Sequence, residues 1–153
     1  MTQEERLARL QVELRKVLPD SESWAPQSHT PGHTEDGREY WFEISARPPR
    51  PQRLVVLLRR DGDLQVEYHI EGRRGSPFEA LFIIPDSGEE AAFGEVARLI
   101  EGLLTERLVL AYTKGVWRGG RTFLEATQLT EATRRKLAWV TSWSGTYDWP
   151  AKQ

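Results

Sequence analysis

The chain contains no cysteine, which excludes disulfide bonds, thiolate metal ligands and a cysteine nucleophile. Histidine is scarce, with three residues among 153. Long apolar runs are missing too, because LVVLL at 54–58 and ALFII at 80–84 are far shorter than the about 20 residues that a transmembrane helix needs. We therefore expect a soluble protein that does not enter a membrane. The chain starts with MTQEERLARL, a segment rich in charged residues that is atypical of a signal peptide. This segment favours a cytoplasmic location.

An excess of charge of either sign is also missing. The formal net charge is −2 at pH 7, which disfavours general nucleic-acid binding because attraction to phosphates dominates such affinity. A chain of 153 residues can bury a substantial core by itself, and no linker-like segment divides it. We therefore predict one domain over residues 1–153, with a long loop at 19–37 and a tail at 141–153 that is rich in aromatic residues.

Hydrophobic periodicity predicts three helices. An apolar stripe at helical spacing covers residues 3–18, after Thr2, which begins a sequence with the spacing of a capping box. A second stripe ends at about Leu104. Thr130 starts a third helix, which is predicted to continue to about Trp139.

Six strands are predicted, four between the first two helices and two between the second and the third. The clearest pair is LVVLLRR and DLQVEYHIEG, which flank Asp61-Gly62, a favoured two-residue turn of a β-hairpin. The order α-β-β-β-β-α-β-β-α predicts an α+β fold with three helices and a mostly antiparallel sheet of about five to six strands. As topology alone, this order resembles small bacterial binding folds such as the class I type III secretion chaperones.

The predicted hairpin gives the sheet apolar residues on both faces. A two-residue turn pairs Arg60 with Asp63, which places Val55 and Leu57 on the core face. Trp41 and the alternate aliphatic residues of the same hairpin then lie on the other face. That face needs cover, either from the aromatic tail or from a partner. The predicted partner-binding residues are Trp41, Leu54, Val56, Leu58, Trp143, Tyr147 and Trp149.

A cluster of arginines is expected at one edge of the sheet, where the ends of three successive antiparallel strands meet. Such a cluster suits an anion or an acidic partner, whereas the alternative is that these strand ends are simply solvated. The members of this predicted cluster are Arg47, Arg50, Arg53, Arg73 and Arg74.

The segment SHTPGHTEDG at 28–37 carries His29 and His33, followed by two carboxylates. Imidazole and carboxylate groups bind zinc, but Pro31-Gly32 between the histidines excludes a helical His-x3-His site. The third histidine, His69, could join only through a tertiary contact. We predict a solvated loop, with no bound metal and no cofactor.

Catalytic signatures are missing from the sequence, including the nucleophile elbow, the phosphate-binding P-loop and the dinucleotide fingerprint. No catalytic residue is therefore predicted, and we favour a role that is not enzymatic. We expect a protein-binding domain of bacterial immunity or chaperone type, which masks another protein or associates with itself as a homodimer. The alternative is a small hydrolase or phosphate-ligand enzyme that uses the 19–37 loop and the arginine cluster.

Overall fold

The protein has an α+β fold with antiparallel sheets, as the sequence predicts. The computed structural model describes residues 1–29, 38–48, 50, 52–59, 63–73, 76–84, 89–113 and 121–149. The chain forms two compact units, Met1–Arg98 and Leu99–Gln153, and each is described by itself. The single domain expected from the sequence stays a prediction.

The order of elements follows the predicted order and adds two short strands. The helices are α1 (Gln3–Val17), α2 (Glu89–Leu104) and α3 (Glu131–Arg135). Single turns of 3₁₀ helix cover Pro19–Ser23 and Ala126–Gln128. The strands are β1 (Gln27–His29), β2 (Glu39–Ser45), β3 (Gln52–Leu58), β4 (Leu64–Arg73), β5 (Ser76–Ile84), β6 (Leu108–Thr113), β7 (Arg121–Glu125) and β8 (Leu137–Thr141). The two additions are β1, inside the predicted 19–37 loop, and β8.

Helix α1 begins at the predicted capping box. The Thr2 hydroxyl accepts a hydrogen bond from Glu5 N–H at 3.1 Å, and the Glu5 carboxylate accepts one from Thr2 N–H at 2.7 Å. Buried Gln3 donates from its amide to the carbonyls of Arg38 and Arg59, at 3.0 and 3.1 Å. These bonds fix the start of the helix to the backbone that borders β2 and β3.

The first unit contains a five-stranded antiparallel sheet in the order β1-β2-β3-β4-β5. Residues directly opposite each other on antiparallel strands share a face, so the register defines each face of the sheet. Tyr40 pairs with Leu58, Phe42 pairs with Val56, and Val56 also pairs with Val66. We call this the inner face, and its fully buried side chains form the core of the first unit with Leu10 and Leu14 of α1. The buried residues of the inner face are Tyr40, Phe42, Leu54, Val56, Leu58, Leu64, Val66, Tyr68 and Ile70.

The predicted register of the β3–β4 hairpin is wrong by one residue. Leu58 pairs with Leu64, and Arg59 N–H donates to the Asp63 carbonyl at 3.0 Å, so three residues rather than two connect the strands. A one-residue change of register exchanges the two faces of a strand. Leu58, with Leu54 and Val56, therefore lies on the inner face, and Val55 with Leu57 lies on the other. The predicted turn residues Asp61 and Gly62 lie outside the described residues. Their sequence does not distinguish the two cases, because glycine also suits a three-residue hairpin loop.

The second unit contains a three-stranded antiparallel sheet in the order β7-β6-β8. The predicted third helix is too long, since α3 ends at Arg135 and the chain continues as β8. Thr130 does cap the helix, with its hydroxyl 3.2 Å from Thr133 N. Trp139 and Val140 are aromatic and β-branched, so they favour a strand, and they pair with Tyr112 and Ala111 of β6. The helix therefore ends earlier than the hydrophobic periodicity predicts, because residues 137–141 pair with β6 instead.

Candidate functional site

The face of the five-stranded sheet opposite the inner face is the strongest candidate site, and we call it the outer face. Its three central strands form three rows of directly opposed residues. The first row is Trp41, Leu57 and Gln65, the second is Glu43, Val55 and Glu67, and the third is Ser45, Arg53 and His69. The outer face therefore changes from apolar to charged along the strands.

The described apolar side chains of the outer face are only partly shielded. Trp41, Val55 and Leu57 are half-buried, in contrast to the fully buried residues that alternate with them on β2 and β3. Gln65, the register partner of Leu57, is buried. Trp41 and Leu57 thus place a large aromatic and an aliphatic side chain directly opposite each other on the outer face.

The described charged groups of the outer face form one ion pair and one contact between a histidine and a carboxylate. The Arg53 guanidinium lies 2.9 Å from the Glu43 carboxylate, and a ring nitrogen of His69 lies 2.9 Å from the Glu67 carboxylate. Each carboxylate in the middle row thus has a basic partner in the third row. Partly exposed pairs of this kind contribute little stability, about 0–1 kcal/mol each, but they orient charge at a surface.

Three predicted partner-binding residues do not belong to this face. Leu54, Val56 and Leu58 are each 0% exposed and lie in the core of the first unit. Among the predicted partner-binding residues of β2 and β3, Trp41 alone lies on the outer face. The residues of β3 that lie on this face with it are Val55 and Leu57. The signal that could have identified them is the length of the hairpin loop, which decides the face of every residue in β3.

The aromatic tail packs on the second unit. Trp149 forms an isolated antiparallel bridge with Val140, in which each N–H donates to the other's carbonyl, at 2.7 and 3.0 Å. Tyr147 and Trp149 pack against a buried cluster that consists of Val109, Ala111, Leu137 and Val140. Trp143, the other tail aromatic in the predicted partner surface, is half-buried. The tail is therefore part of the fold of the second unit at Tyr147 and Trp149.

A carboxylate holds the turn that brings the tail back. Glu106, at a positive φ of 60°, accepts hydrogen bonds from Ser144 N–H at 2.7 Å, from Thr146 N–H at 3.4 Å and from the Thr146 hydroxyl. Burial alone would raise the pKa of Glu106, but the hydrogen bonds from Thr146 and Ser144 outweigh it and lower the pKa from 4.5 to about 2. We call this arrangement the Glu106 clasp. It stabilises the ionised carboxylate and fixes residues 144–146.

The strand ends at which the arginine cluster is predicted are adjacent, and the cluster itself stays a prediction. Ser45 pairs with Arg53 and Gln52 pairs with Ile70, so the ends of β2, β3 and β4 are adjacent. The Arg47 side chain is exposed and that of Arg50 is half-buried, whereas Arg53 is engaged by Glu43 on the outer face. Arg73 is described in its backbone only, and Arg74 lies outside the described residues.

The histidines are separate from one another in the described part of the chain. His29 is exposed in β1 opposite Glu39, His69 contacts Glu67, and His33 lies outside the described residues. Within the described ranges, no group of three or more His, Cys, Asp or Glu side chains could hold a metal ion. No described helix is long and apolar enough to cross a membrane.

A cavity of about 220 Å³ opens between α1, the 3₁₀ turn and β2. Its volume is below the roughly 300–1,000 Å³ of usual ligand pockets. The Ser21 hydroxyl is buried and has no hydrogen-bond partner among the described residues, but burial also withholds it from a ligand. The cavity is lined by Gln11, Leu14, Arg15, Ser21, Glu22 and Phe42. We therefore assign it no ligand.

Comparisons of the chain with protein-family models, with curated proteins and with solved structures find no significant match.

Proposed function

We propose that the protein is a non-catalytic protein-binding domain of the bacterial immunity or chaperone type, which acts in the cytoplasm and masks a partner protein. The partner docks on the outer face. The observation that supports this proposal is the row formed by Trp41 and Leu57, half-buried on a sheet whose inner face already supplies the core.

The composition of the outer face suits a protein interface. The buried centre of such an interface is apolar, with charged residues at its rim, and Trp is among the residues that most often dominate the binding energy. Trp41, Val55 and Leu57 supply an apolar centre of this kind. The Glu43–Arg53 ion pair and the contact between Glu67 and His69 supply polar groups beside it. Truncation of an anchor such as Trp41 commonly costs about 2 kcal/mol or more of binding energy.

The experiment that tests this function compares two lysine substitutions in the full-length protein. Leu57→Lys places a charge in the apolar row of the outer face, whereas Val12→Lys places one on α1, where Val12 is 45% exposed. Each protein is expressed in its native host, recovered with its bound partner, and analysed by quantitative mass spectrometry. We expect the partner to be lost with Leu57→Lys and kept with Val12→Lys.

The thermal midpoint of both variants serves as the control for folding. If the Leu57→Lys protein folds and retains the same partner at the same stoichiometry, the outer face is not the docking surface. Loss of the partner with both variants would indicate sensitivity to charge anywhere on the protein and would equally contradict the proposal.

A further inference from the structure

The two edges of the five-stranded sheet differ greatly in length. At one edge, β1 has three residues, whereas at the other edge β5 has nine, Ser76–Ile84. Strand β5 pairs with β4 along one side, and no strand among the described residues pairs with its other side. An edge strand presents a row of backbone N–H and carbonyl groups that can pair with another strand.

The part of β5 that follows Pro77 is unusual for an unprotected edge. The segment FEALFII, Phe78–Ile84, contains one charged residue, Glu79, and no proline or glycine. Segments of six or seven residues with high strand propensity and low charge pair readily with other strands. Proteins usually protect such edges with charges, prolines or short strands, and β1 illustrates a short edge of this kind.

We propose that β5 is a self-association edge, on which β5 of a second copy of this chain pairs antiparallel about a two-fold axis at Leu81. Prolines border the segment in the sequence, Pro77 before it and Pro85 after it. Proline has no N–H to donate to a ladder. Leu81 is the middle residue of the segment, so a two-fold axis there pairs the whole segment with itself and leaves both prolines outside. Any other centre shortens the pairing or brings a proline into it.

The charges of β5 also favour a second copy in this register. With the axis at Leu81, Glu79 faces Ile83 of the second copy. The two Glu79 residues are then four positions apart along the strands, or about 13 Å. That separation exceeds the Debye length of about 8 Å at physiological ionic strength, so their mutual repulsion is screened. Like charges directly opposite each other would oppose pairing, and this register avoids them.

A single cysteine tests the proposed axis directly, because the natural chain has none. Directly opposed residues of antiparallel strands have Cα atoms about 4.5–5.5 Å apart, within the range that a disulfide bridges. We expect Leu81→Cys to give a covalent dimer under mild oxidation, detected on a non-reducing gel. The matched control, Val12→Cys at an exposed position of α1, is expected to stay monomeric. Equal cross-linking of the two variants, or none with Leu81→Cys, overturns the proposal.

A charge exchange tests the same contact without covalent chemistry. The wild type is expected to sediment as a dimer. Leu81→Lys and Leu81→Glu are each expected to raise the dimer dissociation constant by about tenfold or more, because like charges then face each other. Mixing the two variants is expected to restore the dimer, which a folding defect could not do.

A wild type that sediments as a monomer at all concentrations overturns the proposal and leaves the edge to a strand of another protein. Unchanged dimerisation of both Leu81→Lys and Leu81→Glu overturns the proposal as well. If neither of these two variants folds, the cross-linking of Leu81→Cys decides. This inference does not rest on the proposed docking surface, because it concerns the backbone edge of β5, although Leu81 is the register partner of Glu67 on the outer face. The dimer assay also needs no partner protein, so the two proposals fail separately.

Discussion

The outer face of the first unit and the three-stranded sheet of the second unit both carry aromatic and aliphatic side chains. In the second unit, the chain itself returns over the sheet, and Tyr147 and Trp149 pack against its buried cluster. In the first unit, Trp41 and Leu57 lie opposite each other and stay half-buried. An abundance of aromatic residues therefore does not identify an interface by itself. Tyr147 and Trp149 help to complete the fold of the second unit, whereas we propose that Trp41 contacts a partner.

The return of the tail depends on two kinds of contact. The bridge between Val140 and Trp149 pairs the tail with β8, and the Glu106 clasp fixes the turn at residues 144–146. Both kinds of contact lie within the second unit. The comparison therefore predicts that damage to the tail reduces stability, whereas damage to the outer face reduces binding.

The largest expected effect comes from removal of the tail. Deletion of residues 143–153 removes the bridge at Trp149, the packing of Tyr147 and the partners of Glu106. We expect the free energy of unfolding to fall by about 3–5 kcal/mol, the range measured for loss of one large buried aromatic side chain. Urea denaturation measures this change, and increased binding of the dye ANS is expected as apolar surface becomes exposed. A truncated protein with unchanged urea midpoint and dye binding would make the tail a candidate interface instead.

The next largest effect on stability is expected to differ between two neighbouring leucines that lie on opposite faces of β3. Leu58 is 0% exposed on the inner face, and Leu57 is half-buried on the outer face. Leu58→Ala is expected to cost about 2–5 kcal/mol, because it leaves a cavity in the core. Leu57→Ala is expected to cost about 1 kcal/mol or less. Denaturation of both variants under the same conditions gives the two values, and equal losses would contradict the register on which the outer face depends.

A smaller effect is expected at the Glu106 clasp. Glu106→Gln keeps the shape of the side chain but removes the charge that Ser144 and Thr146 stabilise. We expect a loss of about 1–2 kcal/mol, since the hydrogen bonds are to a charged acceptor that is partly exposed to solvent. The same substitution at Glu131, which is exposed on α3, serves as the control and should have little effect. Equal effects at both positions would mean that the clasp contributes nothing specific.

The Glu106 clasp also predicts a dependence on pH. Because folding lowers the pKa of Glu106 from 4.5 to about 2, the ionised group stabilises the folded state. This contribution is fully present above pH 4.5 and is lost as the pH falls from 4.5 towards about 2. The difference in urea midpoint between the wild type and Glu106→Gln should therefore shrink over this range. A difference that stays constant would contradict the assigned pKa.

Local signals in the sequence predict much of the fold. The capping box at Thr2 predicts where α1 begins, and two-residue alternation predicts β2 and β4. The early end of α3 cannot be predicted from the local sequence, because β8 forms by pairing with β6, which is distant in the sequence. Strand β1 is similar, since its three exposed residues form a strand only by pairing with β2.

The candidate site is harder to predict than the fold. Strand β3 is apolar at Leu54, Val55, Val56, Leu57 and Leu58, so its composition does not decide which residues face inwards. The decision rests on a loop that is three residues long instead of two, and the sequence Asp61-Gly62 suits both lengths. The sequence does indicate that Trp41 lies on the outer face, because Glu39 and Glu43 alternate with Tyr40 and Phe42 on β2. The position of the tail depends on tertiary contacts of Glu106, which no sequence spacing indicates.

The central claim is that the partner contacts the outer face and not the tail, and cross-linking in the native host tests it most directly. A photo-reactive amino acid replaces Leu57 in one variant and Tyr147 in another, with each protein kept at full length. After irradiation, mass spectrometry identifies the proteins joined to each position. We predict that one partner is joined at position 57 and that position 147 yields only cross-links within the chain. A partner joined at position 147 and absent from position 57 would contradict the account.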